Sequence, residues 1–578
     1  MGFDPLLLET FWSRLISTVE QQAVALIRTS FTPSVAECGD LSACVFDPRG
    51  YMLAQAVTGT PGHINSMARC IMHVLDEYPA ETLEPGDVII TNDPWLTSGH
   101  HYDVTVVTPI FRQNTLVAFF GNICHTADIG GRPYGPDAND VYEEGLHIPI
   151  LKLFQRGQPN ADLFKILRTN VRSPEEVIGD FYSQVAGDAV GGQRLLEFMD
   201  EYGLDSIIPL ADELIGRSER AMREAIASLP NGTYHYETDT DGFDAPIRLV
   251  LTITVAGDHL VADYAGTSPQ VKQAINVVYN YTEAYTTFGL KVALAPDVPN
   301  NEGSFRAVTV RAPEGSVLNC LHPAPTAARH LLGHFLAGMV LGALSPVLPD
   351  RAMAEGMAGL WSTNVHGTGP DGNRFTLLSF LSGGTGARRG LDGLSSTAFP
   401  SGVAGIPTEV FENRSPLVML EREFRRDSGG PGRNRGGLGH RIVYSGMRLK
   451  EPYRLAPFTD RVRHPAPGLE GGLPGAPGEF HLADGTPLNP KRTVELSPEQ
   501  LLVIGLPGGG GLGDPWERDP ELVRQDVLDG LVSVEQARDA YGVALTADGA
   551  LDTAETAKLR HSAPTSCQRS VGAERRRL

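Results

Sequence analysis

The sequence predicts a mixed α and β (α+β) fold, a large multi-layer architecture with mixed sheets and several long helices. Three observations predict it. Apolar residues recur at helical spacing over 4–26, 174–201 and 209–229, and short β-rich runs cluster from Asp87 to Cys124 and from Arg248 to Tyr264. Helices and strands intermingle instead of alternating strictly, which argues against a doubly wound parallel sheet. With 578 residues, 41% of them hydrophobic and 20% charged, the chain has the composition of a protein with sizeable buried cores.

Taken in order, Asp4 followed by Pro5 reads as an N-cap and first helical residue. Leu8, Phe11, Leu15, Val19, Ala23 and Leu26 then continue one helical stripe. Leu41 to Phe46 and Tyr51 to Ala54 flank the turn Asp47-Pro48-Arg49-Gly50, the pattern of a hairpin. A second helix is expected over Ser66 to Glu77. Strands are expected at Val88 to Thr91, Val104 to Phe111 and Leu116 to Ile123. Two long helices follow, Pro174 to Glu201 and Pro209 to Leu229, then a strand pair at Arg248 to Val255 and His259 to Tyr264. A third helix is expected from Gln270 to Leu294.

Beyond Pro299 the chain is rich in Gly and Pro, with loops at Ser382 to Gly386, Asp427 to Gly439 and Leu506 to Pro515. No internal repeat is visible. The expected organisation is a main domain over 1–520, a short helical extension over 521–559 and a disordered tail over 560–578, where Ser, Pro and Arg mix without periodicity. Within the main domain, a candidate site region spans about 85–150 and the Gly/Pro-rich part about 300–520.

The charge balance narrows the partners. Lys plus Arg number 48 against 69 Asp plus Glu, a formal charge of −21. Nucleic acid is a poor partner for such a surface, because phosphate neutralisation needs clustered cations. No run approaches the roughly 18 apolar residues of a membrane span. The start lacks a basic segment and carries Asp4 and Glu9, so a secretory signal is not expected. Six cysteines stand far apart with no CxxC pair, which fits reduced thiols in the cytoplasm.

Ligand-type groups concentrate in Thr91-Asn92-Asp93-Pro94, Ser98-Gly99-His100-His101-Tyr102-Asp103 and His125-Thr126-Ala127-Asp128-Ile129-Gly130-Gly131. Imidazole and carboxylate together suit a divalent first-row metal such as manganese, zinc or iron. If the strands over 104–111 and 116–123 form a hairpin, the start of one and the end of the other meet, and His100 and Asp103 sit beside His125. Two imidazoles and one carboxylate leave coordination positions open towards a pocket, as a catalytic site requires. The alternative is a set of satisfied loop histidines and turn-capping aspartates.

Other motifs carry less. No Gly-Lys dipeptide occurs, so a GxxxxGK[ST] phosphate loop is excluded. Gly367 to Gly372 and Gly508 to Gly513 fit GxGxxG formally, but neither stands between a strand and a helix, and no GxSxG elbow is present. The glycine-rich loops could aim backbone amides at an anion or could be close turns where no side chain fits. Glu409 and Glu412 could act as acid and base or belong to a solvated face.

Several ordered motifs together resemble the hydantoinase B/oxoprolinase family. They are Glu37 to Ser42 with Phe46-Asp47, Pro61 to Met67, Thr91 to Pro94, Gly99 to Val104, His125 to Gly131, Tyr142 to Gly145, Asn301 to Gly303, Asp427 to Gly439 and Gly508 to Pro515. The resemblance spans roughly residues 4–520. It implies the metal-binding subunit of a hetero-oligomeric, ATP-dependent enzyme that opens a cyclic amide such as a hydantoin, oxoproline or lactam. An A-type partner would hold ATP with magnesium and phosphorylate the carbonyl oxygen. The family also contains ketone carboxylase α-type subunits, the runner-up expectation. A His, Asp, His metal set carried over from those relatives falls on His100, Asp103 and His125. Asp93, Asp128 and His63 lie in the same family motifs and are candidate catalytic residues. Asn65 and Thr126 depart from the residues common at those positions in the family.

Overall fold

A computed structural model describes residues 4–561. The tail expected over 560–578 therefore lies, from 562 onward, outside the described residues. The first helix, α1 (Pro5–Thr29), starts where the Asp4 side chain accepts hydrogen bonds from the amides of Leu6 and Leu7, and its buried stripe is the one expected. A short helix, α2 (Pro33–Ala36), leads into the hairpin of β1 (Leu41–Phe46) and β2 (Met52–Gln55). Helix α3 (Pro61–Glu77) begins ahead of the expected Ser66, because Pro61 is already suited to a first helical turn. That earlier start carries His63 into the helix.

The next strands are β3 (Val88–Thr91), β4 (Asp103–Arg112), β5 (Thr115–His125), β6 (Leu151–Gln155) and β7 (Gln158–Pro159). With β1 and β2 they form a seven-stranded sheet in the order β2-β1-β5-β4-β3-β6-β7, each neighbouring pair antiparallel. Helices α4 (Ala161–Asn170), α5 (Pro174–Glu201) and α6 (Ile208–Ala227) follow. Alternate residues of β1 serve opposite faces, as the pleat demands. Ala43 and Val45 join Leu15, Val19 and Leu195 from α1 and α5, while Cys44 and Phe46 join Met67 and Ile71 of α3. The sheet is thus covered on both sides. One polar knot lies under α5: buried Asp188 accepts from Gln22 and Asn122, each at 2.7 Å, and from Thr108 at 2.8 Å. Burial pushes its carboxyl up to about 8.

A second sheet contains β8 (Gly232–Thr240), β9 (Ile247–Ala256), β10 (His259–Asp263) and β11 (Val308–Arg311), with β10 and β11 parallel and the other pairs antiparallel. Strand β8 was not expected, since its polar residues give no apolar alternation, yet its whole length pairs with β9. Helix α7 (Tyr279–Leu294) starts later than Gln270, because Asn276 ties residues 271–273 into a loop. Its side chain accepts from the Val271 amide and donates to the carbonyls of Val271 and Gln273. Helices α8 (His330–Gly333) and α9 (Phe335–Leu344) lie almost wholly in the core beside it.

The last large unit pairs two four-stranded sheets. One orders β12 (Trp361–Thr368), β13 (Arg374–Leu381), β16 (Tyr453–Phe458) and β18 (Val494–Leu496) as β13-β12-β16-β18. Helix α10 (Thr408–Arg414) precedes the other, in which β14 (Val418–Phe424), β15 (His440–Ser445), β17 (Glu479–Leu482) and β19 (Leu501–Gly505) run β14-β15-β19-β17. Trp361, Val365 and Leu455 of the first meet Ile442, Tyr444 and Ile504 of the second in one core. The glycine-rich loops pack backbone against backbone. Gly430 donates to Gly509 at 2.8 Å, Gly509 to Gly437 at 3.0 Å and Gly384 to Pro507 at 3.0 Å. A Cβ at Gly508, Gly509, Gly510 or Gly511 would overlap the carbonyl oxygen of Ser428, Thr385, Pro467 or Pro431 respectively. These loops are a packed backbone lattice.

Helices α11 (Pro520–Leu528), α12 (Val534–Tyr541) and α13 (Thr553–His561) close the described chain around a small core of Val523, Val532, Ala537, Tyr541 and Val543. Arg518 pins them to the lattice through Asp392 at 2.7 Å and Asp526 at 2.8 Å. Among the described residues, no helix is long and apolar enough to cross a membrane. The five described cysteines are buried free thiols.

Candidate metal centre

Strand pairing assembles the site. In the β4–β5 hairpin Asp103 stands directly opposite His125, and directly opposed residues of an antiparallel pair share one face. His100 lies in the turn before β4, where its carbonyl accepts from the Asp103 amide at 3.3 Å. His100, Asp103 and His125 each turn a ligand atom to a common point, all within 4.8 Å of one another. The spatial expectation from the hairpin is met.

Each side chain is held by neighbours that fix its chemistry. Asp103 Oδ2 accepts from Ser98 Oγ at 2.7 Å, lies 2.9 Å from His63 Nε2 and is paired with Arg329. Oδ1 of the same carboxylate faces His100 Nε2 at 2.8 Å and His125 Nδ1 at 3.4 Å. Burial acts to raise the Asp103 carboxyl, but the groups packed against it, with the permanent Arg329 cation among them, hold it well below the usual range, so it is ionised. Burial, helped by the Arg329 cation, pushes the His100 imidazole down to about 3, so it is neutral. Its Nδ1 lies 3.1 Å from the Ala327 carbonyl. The single proton therefore belongs on Nδ1, and Nε2 presents a lone pair.

A lone pair facing a carboxylate oxygen at 2.8 Å is repulsive until a cation or a shared proton joins the two atoms. Both atoms, His100 Nε2 and Asp103 Oδ1, are buried with no hydrogen-bond partner among the described residues. The backbone carbonyl on His100 Nδ1 is the outer partner that metal-bound imidazoles need. The residues fit a divalent first-row cation on these grounds.

His63, in the first turn of α3, belongs to this cluster by its contact with Asp103. Asp93 and Asp128 are engaged elsewhere. Asp93 lies 3.2 Å from His147 Nε2 and accepts from the Trp95 amide at 2.9 Å. Asp128 accepts from Arg172 Nη1 at 2.6 Å and from the Gly130 amide at 3.1 Å. Glu412 pairs with Arg448 at 3.2 Å, and Glu409 lies on the same short surface helix, α10.

Two groups escaped the sequence reading. Asp40 precedes β1, and because Leu41 pairs with Cys124 its carboxylate reaches 3.8 Å from His125 Nδ1 and 3.9 Å from His63 Nε2. Burial, reinforced by Asp103, pushes the Asp40 carboxyl up against the opposing pull of His63 and His125. Asp40 sits within the Glu37 to Ser42 motif, but only the β1–β5 pairing would have found it. Arg329, remote in sequence, lies buried with its guanidinium 4.2 Å from the Tyr281 ring centroid. No local pattern marks it.

The three ligands are only 0–3% exposed. Tyr102 stacks on His125 at 5.7 Å, and Tyr134 packs against both at 4.3 Å from Tyr102 and 5.3 Å from His125. The far side of those two tyrosines lines a cavity of about 460 Å³ with Asp128, Arg172, Asn364 and Arg374. The centre and this cavity share a wall of tyrosine rings. The open face expected from the sequence is therefore closed by side chains in this conformation.

Known proteins share this architecture. Among solved structures, an ATP-dependent caprolactamase from Pseudomonas jessenii matches with a TM-score of 0.88 at 27% identity, over 97% of this chain and 100% of that one. An acetone carboxylase in its nucleotide-free form shares the fold with a TM-score of 0.87 at 20% identity, over 99% of this chain and 85% of that one. In sequence, a protein of Pseudomonas sp. (strain NS671), provisionally named as the B component of a D-/L-hydantoinase, is 31% identical over 96% of this chain and 98% of its own length. Residues 4–515 match the family model for hydantoinase B/oxoprolinase, and the chain belongs to that family.

Proposed function

We propose that this chain is the metal-binding subunit of an ATP-dependent cyclic amide hydrolase, working in the cytoplasm with an A-type subunit that holds ATP and magnesium. The observation that carries the reading is the buried, unpartnered facing of His100 Nε2 and Asp103 Oδ1 at 2.8 Å, with His125 Nδ1 beside them. Support for the substrate class comes from the relatives' names, a caprolactamase described as ATP-dependent and the B component of a hydantoinase. The missing phosphate loop supports an ATP site on another chain.

His100, Asp103 and His125 would hold manganese, zinc or iron, and a cation there supplies Lewis-acid activation of water near neutral pH. The partner's phosphorylation of the amide oxygen makes the ring carbon electrophilic. His63 and Asp40 stand beside the ligands where the proton of the attacking water can be received. Arg329 and Ser98 occupy Asp103 Oδ2, which leaves Oδ1 as the carboxylate atom that would hold a cation. Asp128 orients Arg172 in the cavity wall, where an activated, anionic ring would dock before passing the tyrosines. Asp93 acts from further out, through the loop that carries His100.

Reconstitution tests this. The full chain, mixed with its A-type partner, should open a hydantoin, oxoproline or lactam with stoichiometric ATP use, and His125→Ala should abolish ring opening. Ring opening by the A-type partner alone at the same rate would leave this chain without a catalytic part. The shared fold with acetone carboxylase keeps one rival in view. ATP turnover that requires bicarbonate and a ketone would move the assignment to a carboxylase α-type subunit.

A further inference from the structure

A second set of ligand-type side chains adjoins the loop that carries His100. His100 and His101 are neighbours in sequence but serve different surroundings. The His101 ring packs against His147 with centroids 5.2 Å apart, and His147 Nε2 lies 3.2 Å from Asp93 Oδ2. His101 is 1% exposed, and both its ring nitrogens are buried without a hydrogen-bond partner among the described residues. A buried imidazole with neither nitrogen satisfied is costly unless something binds it.

The cluster is built by dedicated backbone ties. Asn92 Nδ2 donates to the carbonyls of His101 at 2.8 Å and Leu146 at 3.0 Å, and Asn92 Oδ1 accepts from the Ile148 amide at 2.6 Å. One side chain therefore clamps the segments bearing His101 and His147 side by side. Asp93 Oδ1 is committed to the Trp95 amide, which leaves Oδ2 facing His147.

We propose that Asp93, His101 and His147 form a second divalent first-row cation site, separate from the His100, Asp103 and His125 centre. Two imidazoles and a carboxylate are the donor set such ions prefer. Ring separation already suits one ion: zinc–nitrogen bonds of about 2.0–2.1 Å at a tetrahedral angle set two imidazole centroids about 5 Å apart. The centroids of His100 and His125 stand at 5.3 Å. His147 Nε2 now faces Asp93 Oδ2 at 3.2 Å and its ring is tilted 57° to that of His101, so the His147 ring must turn for all three to meet one ion. The His147 side chain, 39% exposed, has the freedom to turn and gives the ion its route in. A cation here clamps the 92–101 loop to the 146–148 segment and so braces the loop that delivers His100.

The test is Co²⁺ uptake by the full-length chain, measured by equilibrium dialysis with elemental analysis and by visible absorption of bound cobalt. The wild type should take up two equivalents, and His147→Gln and Asp93→Asn one each, with a loss of the corresponding visible bands. His147→Gln changes a partly exposed side chain that makes no contact with the triad ligands, and thermal melting of the metal-free variant checks its fold; Asp93→Asn is the independent second variant. Retention of two equivalents by either variant overturns the proposal. The two sites fail separately. One equivalent lost in His125→Ala and kept in His147→Gln removes the second site alone. One equivalent lost in His147→Gln and kept in His125→Ala supports it and removes the triad instead. No uptake at all removes both.

Discussion

His125→Ala should empty the triad without unfolding the sheet that carries it. The residue's backbone is fixed independently of its ring: its amide donates to the Asp40 carbonyl at 3.2 Å, and its carbonyl accepts from Ser34 Oγ at 3.2 Å. What remains is a pair of donors, His100 Nε2 and Asp103 Oδ1. Four-ligand zinc sites bind with about 10–16 kcal/mol, so one ligand carries about 2.5–4 kcal/mol. At about 1.4 kcal/mol per decade, the variant should bind Zn²⁺ or Mn²⁺ about two to three orders of magnitude more weakly. Competition titration against a chelating dye reads this constant, and thermal melting of the metal-free forms controls for folding. His125→Gln fills the space beside Tyr102 if the alanine variant loosens that ring. An affinity within about threefold of the wild type in both variants, against the decades expected, would take His125 out of the metal set.

Other outcomes follow from the same structure. Tyr134→Ala removes the ring that packs on Tyr102 and Phe458, at 4.3 and 4.5 Å, and opens the wall between cavity and triad. At about 0.5–1.5 kcal/mol per aromatic pair, metal release into excess chelator should quicken roughly tenfold; an unchanged rate would mean that ions leave by another path. Gly509→Ala forces a Cβ onto the Thr385 carbonyl inside the glycine lattice and should cost more than about 3 kcal/mol. Gly390→Ala has nothing within 4 Å and bears only its backbone strain at φ +73°, so it should cost about 1 kcal/mol; equal melting temperatures would refute the lattice argument.

Stability should also fall on both sides of an intermediate pH. Burial holds His100 and His334 down to about 3 in the folded chain, so these groups take up protons only on unfolding as pH drops below 6.5, and stability is lost towards pH 3. Burial raises Asp188 and Glu144 to about 8, so they release protons only on unfolding as pH rises past the ordinary carboxyl range, and stability is lost up to pH 8. Asp188→Asn keeps the shape of the Gln22, Thr108 and Asn122 contacts and should flatten the alkaline slope in urea titrations. A slope identical to the wild type would mean that Asp188 is ionised in the fold.

Much of the architecture was legible because local rules and tertiary burial agree. Asp4-Pro5 starts α1, the 174–201 helix falls where its periodicity places it, and β4 and β5 alternate against covered faces. Where burial competes with local pattern, the sequence reading slips. Strand β8 is polar yet paired along its length, and Asn276 unwinds the expected start of α7 by side-chain bonds to the backbone.

By itself the sequence determined the ligand types, the hairpin that brings His100 and Asp103 to His125, and the family, because each depends on residues close along the chain or on strand alternation. Only the tertiary structure decided that Asp40 and Arg329 join that centre, that Asp93 and Asp128 turn to His147 and Arg172, and that tyrosines close its outer face. Those outcomes depend on which distant segments pack together, over separations such as the 226 residues between Asp103 and Arg329, where spacing in the sequence carries no information about distance in space.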